Sequence, residues 1–167
     1  DETLTYSSGI FSETTKDLSD AQNNKYQKMI DLIKPNNGDR VLEIGCGWGG
    51  LASAFALCCD SVNVTGITLS QQQFAYACQA SAGAKLDDRV KFELRDYRMQ
   101  TGTFQKIVSV GMLEHVGPRG LPIFFDKVRK SLAPGGVAVI HTIAMHHSAT
   151  PVNRWLTRYI FPGGYLP

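Results

Sequence analysis

The chain has 167 residues, 43% of them hydrophobic and 19% charged, with a net charge of +2. That is one domain's length, with the composition of a globular protein rather than a disordered or nucleic-acid-binding one. No apolar run reaches the roughly 18 residues of a membrane span. No signal-peptide pattern opens the chain. The four cysteines, Cys46, Cys58, Cys59 and Cys78, form no CxxC pair, so reduced thiols are expected rather than a zinc site or a disulfide framework.

Residues 1–18 lack periodicity, and Tyr6–Phe11 reads as extended or turning. Ser19-Asp20 supplies capping residues for a helix on which Tyr26, Met29, Ile30 and Ile33 recur at helical spacing. Pro35–Asp39 breaks it and leads into a strand at Arg40–Ile44. A glycine cluster follows, then a small-residue helix over Leu51–Leu57. Val62–Thr68 reads as a second strand, and Ser70 caps a helix that runs to about Ser81. Val90–Leu94 and Lys106–Val110 read as the third and fourth strands, the latter with four apolar or small residues in sequence, as a buried parallel strand requires. Leu121–Leu132 is a helix ended by Pro134-Gly135-Gly136, with a fifth strand at Val137–Ile143 and a short helix at Asn153–Ile160. Strands alternating with helices define a doubly wound, mostly parallel α/β sheet of Rossmann-like type. Such a domain normally continues beyond the point where this chain stops, so further C-terminal strands are expected outside it.

The chemistry centres on Val41–Gly50, VLEIGCGWGG. Its glycines permit positive φ and close approach of a ligand to the backbone, and the helix start beyond offers N–H groups to an anionic end. The dinucleotide fingerprint requires GxGxxG and an acid at the end of the next strand. Here the spacing is GxGxG and the next strand ends in Thr68-Leu69-Ser70, which argues against NAD. A carboxylate two residues before the first glycine, Glu43, is instead the pattern of S-adenosylmethionine methyltransferases; the alternative role for Glu43 is a buried carboxylate that caps the turn. Trp48 is either a ligand wall or core. Adjacent His146-His147 lacks metal-ligand geometry, and no metal site is expected. Lys127, Arg129 and Lys130 read as a solvated helix face, and Phe161, Tyr165 and Leu166 as core or part of an apolar entrance.

The order of several segments makes the reading narrower. Tyr6-Ser7, VLEIGCGWGG, Gly66–Ser70 with Gln73, Asp96-Tyr97-Arg98, Ile107–Gly117 (IVSVGMLEHVG), His141-Thr142-Ile143 and Tyr159–Pro167 (YIFPGGYLP) resemble the cyclopropane-fatty-acyl-phospholipid synthase family, which includes the mycolic acid cyclopropane synthases. The resemblance implies methylene transfer from S-adenosylmethionine to a cis double bond of a phospholipid acyl chain, at the inner membrane face of the cytoplasm. It implies a bicarbonate ion near the reacting carbons as base, held by Glu114, His141, the backbone at Ile143 and the backbone of Ser8. The matching donor contacts are Tyr6, Ser7, Glu43, Gly45, Gly47, Thr68, Leu69, Ser70, Gln73, Asp96 and Tyr97. Residues 1–18 would then cover the donor, ahead of a methyltransferase domain over 19–167 that is incomplete at its C-terminus.

The sequence departs from the family where Ser8 replaces the common cysteine, and where Tyr97 stands in place of tryptophan in some relatives. A tyrosine that completes the anion site in the family lies beyond Pro167. Nucleic acid is not an expected partner, and a homodimer is left open. Two other readings stand beside this one: a small-molecule N- or C-methyltransferase, and a donor-binding but catalytically silent module.

Overall fold

The computed structural model describes residues 3–144 together with Arg154, Trp155, Arg158 and Tyr159. His146-His147, most of the expected helix at 153–160 and the apolar segment at 161–167 lie outside the described residues.

Five parallel strands form one sheet in the order β3-β2-β1-β4-β5: β1 Arg40–Ile44, β2 Asn63–Thr68, β3 Val90–Leu94, β4 Phe104–Val110 and β5 Leu132–His141. The helices are α1 Leu18–Ile33, α2 Gly50–Cys58, α3 Gln71–Gly83 and α4 Leu121–Ser131. Two single 3₁₀ turns, Tyr97–Met99 and Leu113–His115, follow β3 and β4 and are not evident in the sequence. The sheet divides the core. One layer gathers Tyr26, Met29, Ile33, Leu51, Phe55 and Phe92; the other gathers Leu42, Ile44, Ile67, Leu113, Phe124 and Val128. Strands β1 and β4 are buried along nearly their whole length, as central strands of a parallel sheet covered on both faces are.

The elements follow the sequence reading closely, with local differences. The first helix is capped two residues before Ser19, by Asp17, whose side chain accepts from the Asp20 N–H at 2.9 Å. Ser70 caps α3 as expected, accepting from Gln73 N–H. The fifth strand begins at Leu132 rather than Val137 and ends at His141, short of Ile143. Phe104 pairs with Leu132 and Lys106 with Val137, so Ala133–Gly136 bulge out of the ladder instead of ending it. Gly135 takes φ +74° there, and a Cβ on Gly136 would lie 2.8 Å from the Gln105 carbonyl oxygen. Pro134-Gly135-Gly136 is thus a bulge signal that imitates a turn.

The chain runs outward from β1 through β2 to β3, then returns to place β4 on the other side of β1. Ligands in open α/β sheets bind at this reversal, beyond the carboxyl ends of the strands. The Ser109 hydroxyl fixes the two strands at that point, donating to the Ile44 carbonyl at 2.9 Å in a buried setting.

Candidate active site

A cavity of about 450 Å³ opens at the reversal. The ends of β1, β2 and β4 supply Ile44, Ile67, Thr68 and Val110 to its walls, and the following turns supply Gly45, Gly47 and Gly111. Nine of the sequence-assigned donor contacts line it: Tyr6, Gly45, Gly47, Thr68, Leu69, Ser70, Gln73, Asp96 and Tyr97. Ser7 and Glu43 line a smaller cavity of about 50 Å³ that shares Tyr6, Gly45, Gly47, Val110 and Gly111 with the first and so adjoins it.

The glycine turn is built for close approach. Gly45, Gly47 and Gly49 all have positive φ, at +82°, +54° and +88°. A Cβ on Gly45 would come within 2.9 Å of Met112 Cγ, at the cavity wall. Besides the Gly49 N–H, which donates within the turn to the Cys46 carbonyl at 2.9 Å, two more of the turn's N–H groups are already used. Gly45 and Cys46 both donate to the Ile67 carbonyl at 3.0 Å, which welds the turn to β2. The expectation that the turn's amides as a set receive an anionic end is therefore corrected for these two.

Glu43 is 3% exposed, and its Oε2 has no hydrogen-bond partner among the described residues. Burial raises its pKa to about 8, and the Ala52 N–H in the first turn of α2 opposes the rise. Gly49 caps that helix without a side-chain bond, so Glu43 serves the helix start from the adjoining strand. The capping role uses one oxygen and leaves the other over, among the described residues.

A polar chain crosses the other end of the cavity. Thr68 Oγ1 donates to Gln73 Oε1 at 3.0 Å, and Gln73 Nε2 donates to the Tyr6 hydroxyl at 3.3 Å. Tyr6 thereby lies across the opening from the N-terminal segment. That segment is fastened to α1: Gln22 Nε2 donates to the Ser7 carbonyl at 2.7 Å, and Ile10 N–H donates to the Ala21 carbonyl at 2.9 Å. Asp96 is engaged by its neighbour. The Arg98 guanidinium holds its carboxyl below the usual range and donates to it at 2.9 Å through Nε. Tyr97 packs edge-on against Phe124, with centroids 5.4 Å apart. Trp48 is neither core nor cavity wall; it is half-buried and packs edge-on against Tyr76 of α3.

Glu114 sits in the 3₁₀ turn after β4 and is 1% exposed. Its Oε1 accepts from the Ile143 N–H at 2.7 Å, which ties the segment after β5 to the end of β4. Its Oε2 has no partner among the described residues, and neither does the buried Nδ1 of His141, at the end of β5. Three of the four residues assigned to the anion site thus gather at adjoining strand ends. None of the three is among the residues that line the cavity, although Gly111, Met112 and His115 beside them are. Ser8 does not join them: it is exposed and lines neither cavity, although its neighbour Ser7 does.

The sequence reading missed Lys25, Gln22, Arg95, Met112 and Ile123. Lys25 and Gln22 are each 1% exposed, although their types predict a solvated position. Their spacing held the signal, since Gln22, Lys25, Tyr26, Met29 and Ile33 follow one helical stripe.

A parallel sheet of this order, with a glycine turn after β1 and a cavity at the reversal, is the class I methyltransferase fold. All 167 residues match the profile of the mycolic acid cyclopropane synthetase family, and the chain belongs to that family. Among curated relatives, the cyclopropane-fatty-acyl-phospholipid synthase of Escherichia coli strain K12 is 42% identical over 150 residues, covering 90% of this chain and 38% of that protein. A probable fatty acid methyltransferase of Pseudomonas putida is 39% identical over 174 residues, covering 100% of this chain and 44% of that one. Among solved structures, the cyclopropane synthase MmaA2 of Mycobacterium tuberculosis superimposes with a TM-score of 0.89 at 31% identity, over 100% of this chain and 63% of that one. The mycolic acid cyclopropane synthase CmaA1, solved in complex with SAH and CTAB, also gives a TM-score of 0.89, at 29% identity over the same shares. The chain therefore spans less than half the length of these two curated relatives.

Proposed function

We propose that this chain is the donor-binding part of an S-adenosylmethionine-dependent methyltransferase. Its acceptor is the cis double bond of an unsaturated phospholipid acyl chain, and its product a cyclopropane ring or a methyl-branched chain. Family membership supports the reaction class. The observation that carries the acceptor is that Glu114 Oε2 and His141 Nδ1, both buried, have no hydrogen-bond partner among the described residues.

The residues fit the donor on their own chemistry. Glu43 offers a buried oxygen, unpartnered among the described residues, that suits an α-ammonium group. Thr68, Ser70 and Gln73 bring hydroxyl and amide groups suited to a ribose, where a dinucleotide site would place an acid. Tyr97 presents a ring suited to stack or edge-pack on a base. Gly45 has no side chain at the point where a Cβ would press on Met112. When bound, the donor supplies an electrophilic methyl group on a sulfonium.

An alkene is a weak nucleophile, so the protein's contribution is to hold the partners close, in line and away from water. Attack leaves positive charge on the acyl chain, and a proton must then leave the transferred carbon before a ring can close. A small anion such as bicarbonate is the base in this reading. Glu114 and His141 hold it through Glu114 Oε2 and His141 Nδ1, which accept or relay the proton, and the Ile143 N–H acts through its bond to Glu114 Oε1. N-methylation removes no proton from the transferred carbon, so a base placed for that step has no use there.

Lipid is the partner, met at a membrane surface. Leu69, Tyr6 and Ile123 stand exposed at the cavity by 71%, 73% and 52%, an apolar rim for an acyl chain. Among the described residues no helix is long and apolar enough to cross a membrane. The test is mass spectrometry of lipids from bacteria that express the full-length protein. Unsaturated chains should gain the mass of one CH₂, and Glu114→Gln or His141→Ala should abolish the gain. Unchanged lipids, with methylation of an added amine, would refute the acceptor.

A further inference from the structure

We infer that Lys25 completes the donor site by receiving the α-carboxylate of S-adenosylmethionine, opposite the α-ammonium held by Glu43. This rests on the donor reading given above. Lys25 and Glu43 come from different elements, α1 and β1, and both face the cavity of about 50 Å³ that adjoins the larger one. Each is almost wholly buried. Lys25 Nζ donates to the Ser7 hydroxyl at 2.6 Å and to the Ser7 carbonyl at 3.4 Å, both uncharged acceptors. It belongs to none of the ion pairs among the described residues.

A buried ammonium without a counter-ion is costly, and desolvation lowers the pKa of Lys25 to about 8. A carboxyl with a spare oxygen and an ammonium with no anion among the described residues, facing one small cavity, complement a zwitterion, the form of the donor's amino-acid end. The two turn amides given to Ile67 leave that carboxylate in need of another donor.

Fastening the N-terminal segment is not a sufficient role for Lys25. Gln22 already holds the Ser7 carbonyl at 2.7 Å and reaches the Thr5 carbonyl at 3.4 Å. A neutral side chain suffices for that task, whereas a lysine on the buried stripe supplies charge.

Calorimetric titration of the purified protein with S-adenosylmethionine and with its decarboxylated analogue separates the possibilities. A charge-assisted contact to the carboxylate predicts that the wild type favours the intact donor by about tenfold or more. Lys25→Met should erase that preference, and Lys25→Arg should retain part of it. Equal wild-type affinity for the two ligands overturns the inference without recourse to any variant. A Lys25→Met protein that loses affinity for both ligands by one factor also overturns it and leaves Lys25 a structural fastening. Failure of the wild type to bind either ligand overturns the donor reading itself.

Discussion

Replacing Glu43 with glutamine isolates one buried carboxyl whose protonation differs between the folded and unfolded states. In the native protein burial raises its pKa from 4.5 to about 8. Between those values the folded state keeps a proton that the unfolded chain has released. Stability therefore falls as pH rises through this window, by about 1.4 kcal/mol per pH unit for a single group. From pH 5 to pH 7 the loss approaches about 3 kcal/mol, a large share of a typical domain's stability. Glutamine keeps the shape and the acceptor toward Ala52 N–H but has no proton to lose. Urea unfolding at pH 5, 6, 7, 8 and 9 checks this. The difference in stability between Glu43→Gln and the wild type should move in the variant's favour across the series and level off above pH 8. Parallel pH profiles for the two proteins would refute the assignment of Glu43 as a neutral buried acid.

Other expectations follow from the same geometry. Donor binding at pH 7 should ionise Glu43 and release most of a proton, read as a binding enthalpy that varies with the ionisation enthalpy of the buffer; an enthalpy independent of buffer would remove Glu43 from the site. Gly45→Ala should cost about 1–2 kcal/mol for its left-handed backbone and weaken donor binding through the clash with Met112. Adding Met112→Ala should relieve the clash but not the backbone cost in thermal unfolding and titration. Glu114→Ala should destabilise the protein by about 1–3 kcal/mol in urea by orphaning the Ile143 N–H, whereas Glu114→Gln retains the acceptor and should unfold close to the wild type.

Much of the fold is legible in the sequence because the pattern is strong where the sheet is central. The bounds of β1 and β3 coincide with their sequence reading, and Ser70 caps α3 through a bond that its position predicts. Legibility fails where a local signal has two meanings. Pro134-Gly135-Gly136 has the composition of a turn but is a bulge held by pairing at both of its ends. The 3₁₀ turns after β3 and β4 are too short to carry a period, yet they position Tyr97 and Glu114.

The site divides in the same way. Glycines and a carboxylate beside a strand announce a nucleotide-like ligand, and the cavity forms around them. Lys25 does not announce itself, because a lone lysine on a helix normally faces water and only its place in the buried stripe says otherwise. Glu114 and His141 are 27 residues apart in the chain and are brought together by pairing of β4 with β5, which local spacing does not encode.

The central claim is transfer of a carbon from the methyl donor to a lipid double bond. Incubation of the purified full-length protein with vesicles of unsaturated phospholipid and S-adenosylmethionine carrying an isotopic label on its methyl group tests it directly. The account predicts label in the acyl chains, as a cyclopropane or methyl branch at the former double bond, and none with vesicles of fully saturated lipid. Donor binding with no label in the lipid, or equal labelling of saturated and unsaturated vesicles, would contradict it.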